Sequence, residues 1–191
     1  MMMKIDNLLN MNTKEMLREW LQENHKKERY CWIPVSLSSK PDTLLYLDAV
    51  EEALCFGWID GIKKKMSEEH LAQRLSPRAQ NTSWTELNKE RVRRLDKLGL
   101  MTDAGRKVLP DMNPEAFVID PLIVHRLKED QRVYDNFMRF PELYRRIRID
   151  TIQSERKDKE IYLRRLEKLI KKTRDNQMYG DWNDSGRLLD Y

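Results

Sequence analysis

No apolar run in this chain approaches the roughly 18 to 20 residues that cross a bilayer, which excludes a membrane-spanning helix. The opening residues, MMMKIDNLLNMNTKEM, carry neither a continuous apolar stretch nor a small-residue cleavage site. No secretory leader is read there, and the expected compartment is the cytoplasm. Cysteine is scarce: Cys31 and Cys55 lie too far apart for a CxxC motif and read as two reduced thiols in apolar surroundings. Histidine is equally thin. His25, His70 and His125 are scattered, so no metal-ligand cluster forms and none is expected. With six glycines in 191 residues there is no glycine-rich phosphate loop, since Gly57 and Gly61 do not make GxGxxG. A nucleophile–base pair is also missing. No catalytic constellation is visible, and no cofactor is implied.

What the chain has in plenty is charge. Charged residues reach 36%, against roughly 25% in a typical domain, while apolar residues make up 40%. Five tryptophans and seven tyrosines spread along the chain argue against disorder. The net charge of +4 is unevenly placed. Residues 139–174 hold 13 Lys/Arg against 6 Asp/Glu, the last 17 residues carry four Asp and one Arg, and residues 1–138 are neutral. The basic character is therefore a C-terminal property.

Periodicity and caps predict a chain of short helices with a small antiparallel sheet of about three strands, an α+β class dominated by helix. Thr13 is placed to cap a first helix whose apolar face holds Met16, Leu17, Trp20 and Leu21. Cys31, Ile33, Val35 and Leu37 alternate with Trp32, Pro34 and Ser36, the pattern of a half-buried strand. Pro34, which cannot donate to a ladder, assigns that strand to an edge. Leu44, Leu47, Val50 and Leu54 predict a helix that Gly57 ends. Between Ile62 and Leu75 two readings stay open, a short helix capped near Ser67 or a hairpin turning at Ser67-Glu68-Glu69. Ser83-Trp84-Thr85-Glu86 has the form of a capping box, opening a helix with Leu87, Leu95 and Leu98 inward and Gly99 at its end. Thr102, Asn113-Pro114 and Asp120-Pro121 mark further short helices, with more at about 130–139, at 141–152 and from Ser154 to about Lys172. Three regions follow: an α+β part over 1–110, a helical part over 111–176 and a flexible tail over 177–191.

The segments AVEEALCFGWIDG, QRLSPR, SWTELNKERVRRL and LGLMTDAG, in that order over residues 49–105, resemble the bacterial YdeI/OmpD-associated family, also labelled bacteriocin-protection proteins. The resemblance extends less distinctively over FMRFPELYRRIRIDTIQSERKDKEIYLRRLEKLI. It implies a hairpin after FGWIDG, although Leu75 stands where the family pattern has an aromatic. It further implies a stress or antimicrobial-peptide-resistance accessory protein, without an established reaction, cofactor or catalytic residue. Direct capture of cationic peptides fits a +4 chain poorly, because like charge slows encounter.

Within that block Trp58, Asp60, Arg74, Arg78, Ser83, Trp84, Asn88 and Arg91 form the leading candidate site. Arginines offer planar paired donors, a helix start adds backbone N–H groups, and tryptophan supplies a stacking face, which together suit an anionic or planar ligand. The same residues also fit a structural reading: an ion pair fixing the turn after Gly57, core tryptophans, and an Asn–Arg tie between hairpin and helix. A second candidate is the basic stretch Arg145, Arg146, Arg148, Arg164, Arg165 and Lys168, which a nucleic acid could neutralise. Interspersed acids read more simply as a solvated, salt-bridged helix face. The partners expected are an unidentified protein or a small anionic ligand, with nucleic acid possible but not favoured.

Overall fold

The computed structural model of the chain describes residues 5–66, 71–79 and 82–191. Ser67, Glu68, Glu69 and His70, over which the turn or cap was expected, lie outside the described residues. The chain divides into two compact units, one of residues 1–83 and 91–110, the other of 84–90 and 111–191.

In the first unit, Thr13 accepts the Met16 N–H and opens α1 (Lys14–Asn24). Leu17 and Leu21 are fully buried on its inner face, whereas Met16 is exposed. Strand β1 (Cys31–Val35) is followed by α2 (Tyr46–Cys55), then β2 (Trp58–Lys65) and β3 (Leu71–Pro77). Among the described residues these make one antiparallel sheet in the order β1-β3-β2, and the strand reading prevails over 62–65 and 71–75. Pro34 does lie on an edge strand. Trp32, two residues before it, sends its N–H away from β3 to the Asn7 carbonyl at 3.0 Å, so the missing Pro34 N–H falls on that outer side. The half-buried alternation fails, however. Trp32 and Ser36 are buried along with Cys31, Ile33 and Val35, while Leu37 lies outside the strand and is exposed.

Helix α2 carries two adjacent buried glutamates, each met by a cation: Arg94 reaches Glu51 at 2.9 Å and Arg18 reaches Glu52 at 2.8 Å. Gly57 follows the helix with φ +73°, where a side chain would also press on the Ala104 carbonyl. Helix α3 (Glu86–Lys97) starts two residues later than the capping box implied. Thr85, not Ser83, accepts the Asn88 N–H at 3.2 Å, and the Asp150 carboxylate takes the Glu86 N–H at 3.0 Å. Leu95 is buried, but Leu98 falls beyond the helix and is exposed. Thr102 caps the short α4 (Asp103–Arg106).

The second unit is helical. Asn113-Pro114 opens a 3-10 turn, and Asp120-Pro121 opens α5 (Pro121–Lys128), with Asp120 accepting the Leu122 N–H. After α6 (Gln131–Arg139) and α7 (Glu142–Gln153) comes α8 (Lys159–Arg174), capped by Asp158 rather than starting at Ser154. Ile123, Leu127, Val133, Phe137, Tyr144, Ile147, Leu166 and Leu169 form its core. The expected flexible tail is instead packed. Trp182 joins that core, Leu188 is buried, and the Tyr179 and Trp182 rings stand edge-on to Tyr144 at 6.4 and 5.6 Å between centroids.

Candidate functional site

The first unit's polar cluster is built on an irregularity in β2. Asp60 pairs with Leu75 and Lys63 with Gln73, so one extra residue lies between them on β2. Residues three apart in a regular strand point to opposite faces. Here the bulge brings Asp60 and Lys63 to the same face, the one shared by Leu75 and Gln73. Helix α2 then supplies its first residue. The Tyr46 hydroxyl donates to Asp60 Oδ2 at 2.6 Å, and the Lys63 ammonium sits 3.5 Å from the centre of the Tyr46 ring. Gln73, fully buried, braces the bulge by donating from Nε2 to the Gly61 and Arg74 carbonyls, and its Oε1 has no hydrogen-bond partner among the described residues.

Two arginines complete the cluster. Arg78 is buried just after β3, where Nη1 donates to the Ser83 carbonyl at 3.1 Å and the Thr82 hydroxyl at 3.3 Å. Burial lowers its pKa and the nearby Asp60 carboxylate opposes that. The Lys63 pKa is lowered as well, first by burial and then by repulsion from Arg91, with Asp60 again opposing. Asp60 therefore stands among cations whose charged forms the surroundings partly disfavour.

Of the residues singled out from the sequence, Asp60, Arg78 and Arg91 gather here. Arg74 does not: it pairs with Trp32, which puts it on the other face of β3, and its guanidinium lies 4.5 Å over the Tyr30 ring. Trp58 is a core residue, edge-on to Trp20 at 5.8 Å, with its indole N–H donated to the His25 carbonyl. Ser83 contributes a backbone carbonyl rather than a cap. Trp84 and Asn88 belong to the second unit, where Asn88 lies in the first turn of α3. Tyr46 and Lys63 were missed. Tyr46 is 14 residues from its acceptor, and strand alternation places Lys63 on the wrong face unless the bulge is known. Burial pushes both cysteine thiols up to about 12, so they remain protonated packing groups. Among the described residues no cluster of His, Cys, Asp or Glu could hold a metal ion, and no helix is long and apolar enough to cross a membrane.

The basic stretch of the second unit is largely engaged internally. Arg146 is buried and meets three carboxylates, Glu86 at 3.0 Å, Glu90 at 2.7 Å and Glu142 at 3.1 Å. Arg148 donates to the Asp181 carbonyl at 3.1 Å and lies over the Tyr179 ring, which Lys168 also approaches at 4.9 Å. Arg165 pairs with Glu155 at 3.1 Å and donates to the Thr151 carbonyl. Arg164 is exposed. Arg148 and Lys168 thus hold the chain's last residues, while Arg146 and Arg165 are engaged by carboxylates.

The model of a family described as "Domain of unknown function (DUF8412)" matches residues 9–108. No curated protein and no solved structure matches the chain. The matched span contains the whole Tyr46, Asp60, Lys63, Arg78 and Arg91 cluster.

Proposed function

The chain belongs to the DUF8412 family, whose function is unknown, and we propose that it is a binding protein whose first unit takes a small anion at the Asp60–Lys63–Arg78 cluster. One observation carries this reading: the bulge in β2 sets Lys63 and Asp60 on one face, where the Asp60 carboxylate also acts on the buried Arg78. A phosphate or carboxylate received between Lys63 and Arg78 would meet matching lysine and arginine donors. Asp60 would accept from a hydroxyl or amino group on the same ligand, which favours an anion with a donor attached over a bare ion. The accessory role in stress or antimicrobial-peptide resistance belongs to the same proposal as its cellular setting. Its support is the sequence block around FGWIDG alone.

The test uses Lys63→Ala, because Lys63 is exposed and its loss should spare the fold, whereas Arg78 is buried. Thermal unfolding of wild type and variant is followed with inorganic phosphate, glycerol 3-phosphate, malate and adenosine monophosphate. A ligand at about 100 times its Kd stabilises by about 2.7 kcal/mol. The expected result is that at least one of these anions raises the wild-type midpoint and leaves Lys63→Ala unmoved. If all four shift both proteins equally, or neither, the cluster is scaffolding.

A further inference from the structure

The second unit carries a half-open cavity of about 400 Å³, separate from the cluster on β2. Its wall is mostly apolar, with Phe117, Ile119, Val124, Leu127 and Phe137 contributing. That volume lies in the lower part of the roughly 300–1,000 Å³ range of small-molecule sites. The charged side chains on the wall differ in what they already touch. Glu142 pairs with Arg146, which two further glutamates hold. Arg145, the next residue along α7, has no carboxylate partner among the described residues. Among those residues its Nη1 donates only to the thioether of Met138 at 3.2 Å and its Nε, removed from solvent, finds no acceptor, while its guanidinium lies 6.0 Å from the Phe137 ring.

A thioether is a weak acceptor, and a buried guanidinium N–H left without one is costly. The free Nε edge of a guanidinium fork has the geometry that a carboxylate fills with two parallel hydrogen bonds. We propose that this cavity binds an apolar monocarboxylate, with its hydrocarbon part among Phe117, Ile119, Val124 and Leu127 and its carboxylate on the Nε edge of Arg145. The apolar wall disfavours sugars and phosphates, whose polar groups would be stripped of water without partners. Glu115, also on the wall, opposes a second negative charge on the ligand.

Isothermal titration of the full chain with octanoate and with 3-phenylpropionate tests the proposal and separates an alkyl from an aryl acid. At least one acid binds wild type, and its alcohol counterpart, 1-octanol or 3-phenylpropanol, binds at least about tenfold more weakly. Arg145→Gln, with its ligand-free thermal midpoint unchanged, loses at least about tenfold in affinity for the acid. Val124→Phe, which fills the cavity from an independent position, also abolishes binding. The proposal is overturned if neither acid binds wild type, if an alcohol binds as tightly as its acid, or if either variant keeps wild-type affinity.

Discussion

A Cβ built at Gly105 runs into the carbonyl of Cys55, the last residue of α2, and crowds the Met101 side chain. That carbonyl already accepts from the Thr102 hydroxyl at 2.6 Å and the Thr102 N–H at 3.1 Å, so the α2 end and the start of α4 are tied too closely for a methyl group. Gly105→Ala is expected to cost about 1–3 kcal/mol through overpacking, measured by urea unfolding. An unchanged midpoint would show that the loop yields. Nothing local to Thr102-Asp103-Ala104-Gly105 announces this requirement, because the obstructing atom is 50 residues away. Arg146 teaches the same lesson with charge. In sequence it stands beside Arg145 as one of two basic neighbours, yet one is enclosed by three carboxylates and the other faces a cavity with a sulfur.

Helix starts behave differently from single buried residues, since a cap and the groups it satisfies sit within three residues of each other. Asp130 opens α6, where its Oδ1 accepts the Arg132 and Val133 N–H groups, while Oδ2 pairs with Arg174 at 3.2 Å. The backbone bond from Val133 is the leading cause holding its carboxyl below the ordinary 3.8, helped by Arg174. A depressed folded-state pKa gives stability that is present above the unfolded value and lost as pH falls through the folded one. Asp130→Asn keeps a capping oxygen but cannot titrate. Wild type should therefore be the more stable at neutral pH, with the gap closing as pH falls below 3.8, read from thermal midpoints of both proteins between neutral pH and pH 2. A gap constant across that range would mean that the charge contributes nothing. The β2 bulge is an element-scale feature of the opposite kind. It depends on register against β3 and alone makes Asp60 and Lys63 neighbours on one face.

At the scale of the whole molecule, the end of the chain is part of the second unit's core. Trp182 is 9% exposed, Arg148 holds the Asp181 carbonyl, and the Tyr191 hydroxyl reaches Glu90 at 2.7 Å. Position at the end of the chain suggested a loose tail, but position does not record that one aromatic ring there packs beside Tyr144. Trp182→Ala should destabilise by about 3–5 kcal/mol in urea unfolding, the usual cost of emptying a buried tryptophan site. A loss below about 0.5 kcal/mol, normal for a surface change, would restore the flexible-tail reading. The charge asymmetry has the same explanation, since the basic α7–α8 stretch includes the cations that hold this segment.

Local chemistry was sufficient for the helix-dominant α+β class, for most helix starts, for the edge position of Pro34 and for the helix end at Gly57. Each rests on groups within a few residues, so neighbouring letters carry the whole interaction. Asp60, Arg78 and Arg91 were legible as a group because one short block contains them. Tyr46 and Lys63, the buried Arg146, the collision behind Gly105 and the docking of Trp182 were decided only in three dimensions. A strand register, a cavity wall and a long-range ion pair arise between segments that local periodicity treats as independent, and the packed chain alone brings their atoms within reach.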